Sequence, residues 1–303
     1  QKFTNTGALS TTGSLTLNAN EYQNKSTGKL TVDGISQVEI KNDLNHAGIF
    51  KGNSQTTINA TNVNNTGVIA SASDLTIKAT NTLTNGSAQS DSSVNALIFS
   101  VGKMSLFSNV LNNVYSDIYS VGDLTIAKNV QNALNTQVNN LSSGMESNGN
   151  LSIFTQSLKN KREPIQITDD FSLCQNVSDV LAFLCNSNIL GVQSTGIISN
   201  MPWLFDETFQ FWKQKLSQID QQTVIYNLIN RVLKASIRTP SITAGKNLTI
   251  TAGDVFNQAG LLSAGNNIQI DTTNFEQRTV TAALPYPIPL DLLTDPFGLN
   301  SDR

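Results

Sequence analysis

The sequence predicts an all-β fold, a parallel β-helix (β-solenoid) that is interrupted by an α-helical insert. Three observations predict it: a phrase that returns along the chain, a period of about twenty residues, and one long gap in that period. The phrase is Asn5-Thr-Gly-Ala-Leu-Ser-Thr-Thr-Gly-Ser-Leu-Thr-Leu-Asn-Ala19, and its pattern returns at residues 65–79 and 259–270. Recurrence at a fixed short period is typical of solenoids.

The period is set by pairs of residues in the arrangement apolar-x-apolar. The pairs are Leu15/Leu17, Val38/Ile40, Thr56/Ile58, Leu75/Ile77, Met104/Leu106, Leu124/Ile126, Leu151/Ile153, Leu248/Ile250 and Ile268/Ile270. Alternation places both members of a pair on one face of a strand. One such unit is too short to bury its own apolar face, whereas stacked copies with parallel strands about 4.8 Å apart form a continuous core. A β-sandwich is the alternative, but the recurrence of the phrase favours the β-solenoid.

Glycine and asparagine concentrate between the pairs, which indicates tight corners. Both residue types tolerate a left-handed backbone, and asparagines that stack from coil to coil can form ladders of side-chain amides. The glycines interpreted as corner residues are Gly7, Gly67, Gly86, Gly245, Gly260 and Gly265.

The repeat stops after Ile153 and resumes at Leu248. Apolar residues recur at helical spacing between them, for example Val177, Val180, Leu181 and Leu184. We therefore predict a β-helix at 1–158, an α-helical insert at 159–239, a resumed β-helix at 240–274, and a Pro-rich extended tail at 275–303 that is a strap or a linker.

Composition excludes several classes of function. The net charge is -3 and only 14% of residues are charged, so the clustered Lys and Arg of a nucleic-acid binder are missing. The one histidine, His46, is expected to be a solvated corner residue. One histidine and two cysteines also do not make up the usual ligand sets of catalytic zinc sites. Asp169-Asp170 is a calcium ligand pair or, better, the negative charge at a helix N-terminus. No catalytic, cofactor-binding or metal-binding residue is predicted.

Two longer phrases carry a family resemblance. Asn65-Thr-Gly-Val-Ile-Ala-Ser71 followed by Asp74-Leu-Thr-Ile77, and Gly245-Lys-Asn-Leu-Thr-Ile-Thr-Ala-Gly253 followed by residues 257–265, resemble filamentous haemagglutinin repeats. Such repeats build exoproteins of bacterial two-partner secretion, and among these the chain is most similar to the receptor-binding region of the contact-dependent growth inhibition (CdiA) proteins. The resemblance implies a right-handed parallel β-helix, export through an outer-membrane two-partner secretion transporter, and a place at the surface of a Gram-negative cell. It covers about 1–158 and 240–273 and implies nothing about the residues of the insert.

The secreted character implied by the resemblance favours a disulfide between Cys174 and Cys185, the alternative being two free buried thiols. The insert also holds the aromatic residues that we name as candidate receptor-binding residues. They are Trp203, Phe205, Phe209, Phe211, Trp212 and Tyr226. These side chains either pack the helices together or anchor a partner, since Trp and Tyr dominate binding hot spots.

Three functional hypotheses remain. The first is a receptor-binding segment of a toxin-delivering or adhesive exoprotein, which recognises an outer-membrane protein or a surface glycan of a neighbouring bacterium. The second is a structural segment of an adhesin shaft, with the insert as decoration. The third is a polysaccharide-active β-helix enzyme, which ranks last because the outward positions are mostly Ser, Thr and Asn rather than paired carboxylates.

Overall fold

The computed structural model describes residues 1–87, 96–162 and 239–279, in which every strand pairing is parallel. The larger sheet of this part of the chain consists of β1 (Lys2–Asn5), β3 (Leu15–Ala19), β4 (Glu21–Asn24), β6 (Ser36–Ile40), β7 (Asp43–His46), β9 (Thr56–Asn65), β11 (Leu75–Gly86), β13 (Met104–Val114), β15 (Leu124–Ala127), β16 (Asn135–Leu141), β18 (Leu151–Lys161), β20 (Leu248–Gln258) and β22 (Ile268–Arg278). The second sheet consists of β2 (Ala8–Thr11), β5 (Lys29–Val32), β8 (Ile49–Gly52), β10 (Val68–Ser71), β12 (Leu97–Ser100), β14 (Asp117–Ser120), β17 (Gly144–Ser147), β19 (Ser241–Ala244) and β21 (Leu261–Ala264).

Each coil among the described residues contributes three straight segments. One is a strand of the second sheet. The other two belong to the larger sheet, either as separate strands such as β3 and β4 or as two halves of one long strand. In β11 the halves meet at a shift of register between Ala79 and Thr82. The predicted all-β fold is therefore confirmed, and its parallel stacked sheets are consistent with a right-handed β-helix.

The apolar pairs align from coil to coil as predicted, with one correction. Leu75 pairs with Thr56 on one side and Met104 on the other, and Ile77 pairs with Ile58 and Leu106. In the second coil, however, the residues in line with Leu15 and Leu17 are Ser36 and Val38, not Val38 and Ile40. Ser36 is fully buried, so a small hydroxyl residue takes an inward position that we expected to be apolar.

A second inward column, which was not predicted from the sequence, lies in the other half of the larger sheet. Its members are Val63, Leu83, Leu111, Val138, Leu158 and Val255, all at most 1% exposed. They share one core with the inward residues of the other two segments, such as Ile69 and Ile98 of the second sheet. The core thus runs through the stack of coils without a break.

Three of the six predicted corner glycines are explained by crowding rather than by a left-handed backbone. Among the glycines of the described residues only Gly86 has a positive φ, of 93°. At Gly67, Gly245 and Gly265 a Cβ would instead overlap the backbone of the preceding coil. The left-handed interpretation therefore holds for Gly86 and is wrong for the other five corner glycines, Gly7, Gly67, Gly245, Gly260 and Gly265. At Gly67, Gly245 and Gly265 close approach between coils is the physical reason for glycine.

Residues 163–238 of the α-helical insert predicted at 159–239, including Asp169-Asp170 and both cysteines, lie outside the described residues. Strand β18 continues to Lys161, the β-helix resumes at β19, and β22 extends to Arg278. Within the described ranges no helix is long and apolar enough to cross a membrane.

Candidate functional site

A ladder of buried asparagines follows one corner of the β-helix. Each side-chain Nδ2 donates to the Oδ1 of the asparagine in the next coil, with distances of 2.7 Å for Asn65 to Asn85, 2.9 Å for Asn85 to Asn113, 3.0 Å for Asn113 to Asn140, 2.8 Å for Asn140 to Asn160 and 2.8 Å for Asn160 to Asn257. The same Nδ2 groups donate to backbone oxygens at the start of second-sheet strands, as Asn113 does to Gly144 at 2.9 Å. The ladder therefore satisfies buried polar groups and holds neighbouring coils in register.

His46 occupies a place in this ladder, contrary to the expected solvated corner. It pairs in register with Asn24 and Asn65 and is 2% exposed. Its Nε2 lies 2.9 Å from the Val68 oxygen, and its Nδ1 lies 3.3 Å from Asn24 Nδ2. A neutral ring that is protonated on Nε2 satisfies both contacts, because it donates to the carbonyl and accepts from the amide. Burial lowers the pKa of His46 to about 4, against a smaller opposing effect of hydrogen bonding to Val68 and Gly48.

The corner that follows the ladder is also where the two internal gaps in the described chain lie. One gap separates β11 from β12 and the other separates β18 from β19. In other coils this corner is short: three residues separate Asn113 from Asp117, and three separate Asn257 from Leu261. The number of residues that connects the two sheets at this corner thus varies widely from coil to coil.

Strand pairing continues across the larger gap. Gly144 of β17 pairs with Ser241 of β19, and Leu151 of β18 pairs with Leu248 of β20. The ladder also continues, since Asn160 donates to Asn257 at 2.8 Å. Residues 163–238 are therefore accommodated without any shift of register in the coils on either side.

The outer surface of the β-helix contains a polar groove over β15, β18, β20 and β22. Its rim is a second Asx ladder, in which Asp123 Oδ1 accepts from the Asn150 backbone N–H at 2.8 Å and Asn150 Oδ1 accepts from Asn247 Nδ2 at 2.9 Å. Asp123 is the one carboxylate among the residues that line this groove. Within the described ranges no group of three His, Cys, Asp or Glu side chains could hold a metal ion. The groove thus offers hydrogen-bonding groups but no carboxylate pair for acid–base chemistry.

The second sheet has a more apolar outer surface. Phe99 and Tyr119 stack with ring centroids 5.7 Å apart and an interplanar angle of 25°. Tyr119 also donates from its hydroxyl to Asn148 Oδ1 at 3.0 Å. Ile49 on the same surface is 42% exposed. These residues were not predicted from the sequence, although outward Phe and Tyr at the same place in successive repeats were the signal.

The residues predicted to bind a receptor lie outside the described residues. They are Trp203, Phe205, Phe209, Phe211, Trp212 and Tyr226, and the cysteines Cys174 and Cys185 share that place. The predicted anchors and the predicted disulfide therefore stay predictions.

Comparison with known proteins identifies the repeat. The haemagglutinin repeat family model matches residues 10–98, 87–153 and 234–282, which together are more than half of the chain. No curated protein and no solved structure matches the chain. The matched family is a structural and adhesin family, and its proteins are typically secreted exoproteins at the surface of Gram-negative bacteria. The chain therefore belongs to the haemagglutinin repeat family, as a shaft or adhesion segment of a filamentous adhesin-like exoprotein.

Proposed function

We propose that this β-helix is a rigid shaft that presents residues 163–238 as the recognition element for a neighbouring bacterium. The recognised partner is an outer-membrane protein or a surface glycan. The observation that carries the proposal is the uninterrupted pairing of β17 with β19 and of β18 with β20 around that segment. A solenoid whose coils pair directly across an insertion needs nothing from the inserted residues for its own packing.

The composition of the inserted segment supports a recognition role. Both tryptophans of the chain, Trp203 and Trp212, belong to it, together with several phenylalanines. Large aromatic side chains supply most of the binding energy in many interfaces. By contrast, the outward positions of the shaft near the polar groove are mostly Asn, Ser and Thr, which carry little apolar area.

The resemblance to CdiA proteins suggests a more specific form of this function. There the segment would select target cells for contact-dependent growth inhibition, and the exoprotein would pass through an outer-membrane two-partner secretion transporter. The regularity of the coils also favours a second candidate function, that of a plain shaft with residues 163–238 as decoration.

A deletion separates the two functions. Residues 162–240 are replaced by two glycines, so that the connection reads Lys161-Gly-Gly-Ser241 and keeps three residues after Asn160, as after Asn113, Asn140 and Asn257. Glycine is chosen because Tyr115, Ser142 and Ala259, two positions after their ladder asparagines, have φ near +50°. We expect the variant to retain its β-sheet circular dichroism and to lose saturable binding to live Gram-negative cells.

The matched control replaces Trp203 and Trp212 by alanine in the full chain. If the aromatic residues are the anchors, this double variant binds cells at least about tenfold more weakly, in line with the loss of two hot spots. A two-glycine variant that folds and still binds as tightly as the full chain would show that recognition belongs to the shaft and would contradict the proposal.

A further inference from the structure

The outer surface of the second sheet carries a column of side chains with an ordered sequence of chemical character. From coil to coil the column consists of Lys51, Ala70, Phe99, Tyr119 and Glu146, which pair in register through β8, β10, β12, β14 and β17. Its centre is aromatic, one end is a cation and the other end is an anion. We call these five residues the central column.

The residues beside the central column are also apolar near its middle. The neighbouring outward column contains Ile49, Val68 and Leu97, its apolar run ends at Asp117 of β14, and the adjoining turns contain Val101 and Val121. Ile49, Val101 and Val121 are 42%, 46% and 39% exposed. Contiguous apolar surface with a polar border marks interaction sites on soluble proteins.

We propose that this surface is a lateral interface between two copies of the β-helix that run antiparallel. The two-fold axis lies along the strand direction at the level of Phe99, so each coil on one side of Phe99 faces the coil at the same distance on the other side. Phe99 then faces Phe99, Ala70 faces Tyr119, and Lys51 of each copy faces Glu146 of the other.

Charge complementarity is the reason for choosing a second copy as the partner. An isologous interface must be complementary to itself, which requires opposite charges at equal distances from the axis. Lys51 and Glu146 satisfy this condition, since each stands two strands from β12. The small side chain of Ala70 opposite the large side chain of Tyr119 gives the matching shape.

The size of the surface sets the strength of association. Five strands at about 4.8 Å and four residues at about 3.3 Å per residue give a footprint of about 300 Å² on each copy. Stable complexes bury about 800 Å² per partner. We therefore expect a weak dimer, with association visible at protein concentrations of about 100 µM and above.

Sedimentation velocity of the full chain over a concentration series tests the proposal. We expect the wild-type chain to dimerise reversibly, and we expect Lys51→Glu and Glu146→Lys each to raise the Kd by at least about tenfold, because each brings like charges together twice per dimer. The double variant Lys51→Glu/Glu146→Lys restores both ion pairs with reversed sign. Its Kd is expected to return to within about threefold of the wild-type value.

Lys78→Glu is the matched control. Lys78 is an exposed outward residue of β11 in the larger sheet, so the variant makes the same change of net charge on a different face and should dimerise as the wild type does. If the wild-type chain stays monomeric at about 500 µM in the same sedimentation experiment, the proposal is overturned, and the surface would have to bind a partner of different chemistry. A double variant that remains as weak as the single variants would overturn the two-fold register.

Discussion

His46 shows how a single residue can replace asparagine in a buried ladder. Asparagine offers an acceptor oxygen and a donor NH₂ group, and a neutral imidazole offers one acceptor and one donor nitrogen. Nδ1 of His46 faces Asn24, and Nε2 faces the Val68 oxygen. The replacement is limited to the neutral ring, because a proton on Nδ1 would point at the Asn24 NH₂ group and leave two donors facing each other.

The stability of the fold should therefore depend on pH through His46. Its pKa is about 4 in the folded chain and about 6.5 when unfolded, so below pH 6.5 the unfolded chain binds more protons. We expect the free energy of unfolding to be highest above pH 6.5 and to fall by roughly 3 kcal/mol as pH drops to 4. Urea unfolding at several pH values measures this.

The control for the pH prediction is His46→Asn. It should restore an amide at this place in the ladder and remove the part of the pH dependence that belongs to the imidazole. Carboxylates also titrate near pH 4, so the informative quantity is the difference between wild type and variant. Parallel curves for the two proteins across this range would contradict the assignment.

The ladder asparagines themselves should contribute strongly to stability. Asn140 is fully buried and donates to Asn160, to the Ser143 oxygen at 2.9 Å and to the Ser241 oxygen at 3.0 Å. Asn140→Ala leaves these acceptors without their donor, and we expect the free energy of unfolding to fall by about 2 to 4 kcal/mol.

Asn64→Ala is the comparison for Asn140→Ala. Asn64 of β9 donates to Asn45 of β7 at 3.0 Å on the solvent-exposed surface of the larger sheet. Loss of this hydrogen bond should change the free energy of unfolding by less than about 1 kcal/mol. Equal effects of the two substitutions in urea unfolding would show that burial of the ladder is not what makes it stabilising.

At the scale of the corner, two glycines in the same local sequence give a matched pair. Gly7 and Gly67 both end an Asn-Thr-Gly sequence, and the backbone N–H of each donates to the Oδ1 of its asparagine at 3.2 Å. A Cβ at Gly67 would overlap the Gly48 oxygen, whereas a Cβ at Gly7 would have nothing within 4 Å. We expect Gly67→Ala to destabilise the fold by about 1 to 3 kcal/mol through overpacking, and Gly7→Ala to have little effect.

Thermal unfolding of the two alanine variants measures this difference directly. If conformational freedom were the reason for glycine at these corners, both substitutions would destabilise to a similar degree. A clear loss at residue 67 alone would confirm that the coils approach too closely there for any side chain.

The apolar pairs made one segment of each coil predictable from sequence, because alternation over four or five residues has one explanation in a stacked sheet. The second segment was missed although it has its own pattern, an apolar residue, any residue and then asparagine, as in Leu83-Thr-Asn85 and Leu111-Asn-Asn113. Leu44-Asn-His46 fits the same pattern with histidine in the last place. This apolar-x-Asn pattern therefore predicts that the side chain of His46 lies in the interior.

Val38 shows why the register between neighbouring strands is harder to predict from sequence than the fold. Val38 and Ile40 form an apolar pair by themselves, yet the inward residues that align with Leu15 and Leu17 are Ser36 and Val38. With this alignment the first three coils become more regular, at 21 and 20 residues between Leu17, Val38 and Ile58. A buried serine is invisible to an apolar pattern, so only the pairing of strands reveals it.

At the scale of the whole molecule, one continuous core and one ladder couple every described coil to its neighbours. The outward surfaces were less predictable than the core, because outward residues are not constrained by the repeat. The aromatic stack of Phe99 and Tyr119 depends on which positions of two coils face out and align, and that register comes from the strands beneath. Repetition predicts the architecture, whereas surface function depends on departures from repetition.

Coupling between neighbours alone predicts a gradient of stability along the stack. In the first coil Leu9 is 42% exposed, although Leu30, which pairs with it in the next coil, is 1% exposed. Leu83 and Leu111 in the middle are fully buried. Because each coil is stabilised by its two neighbours, the first coil of an isolated chain of residues 1–303 should open without unfolding the middle ones. Hydrogen exchange monitored by mass spectrometry should therefore find amides of β2 and β3 at least about a hundredfold less protected than those of β11 and β13, a difference of about 2.7 kcal/mol in opening free energy. Uniform protection across these four strands would mean that the β-helix opens as a single cooperative unit, with the ladder transmitting stability over its full length.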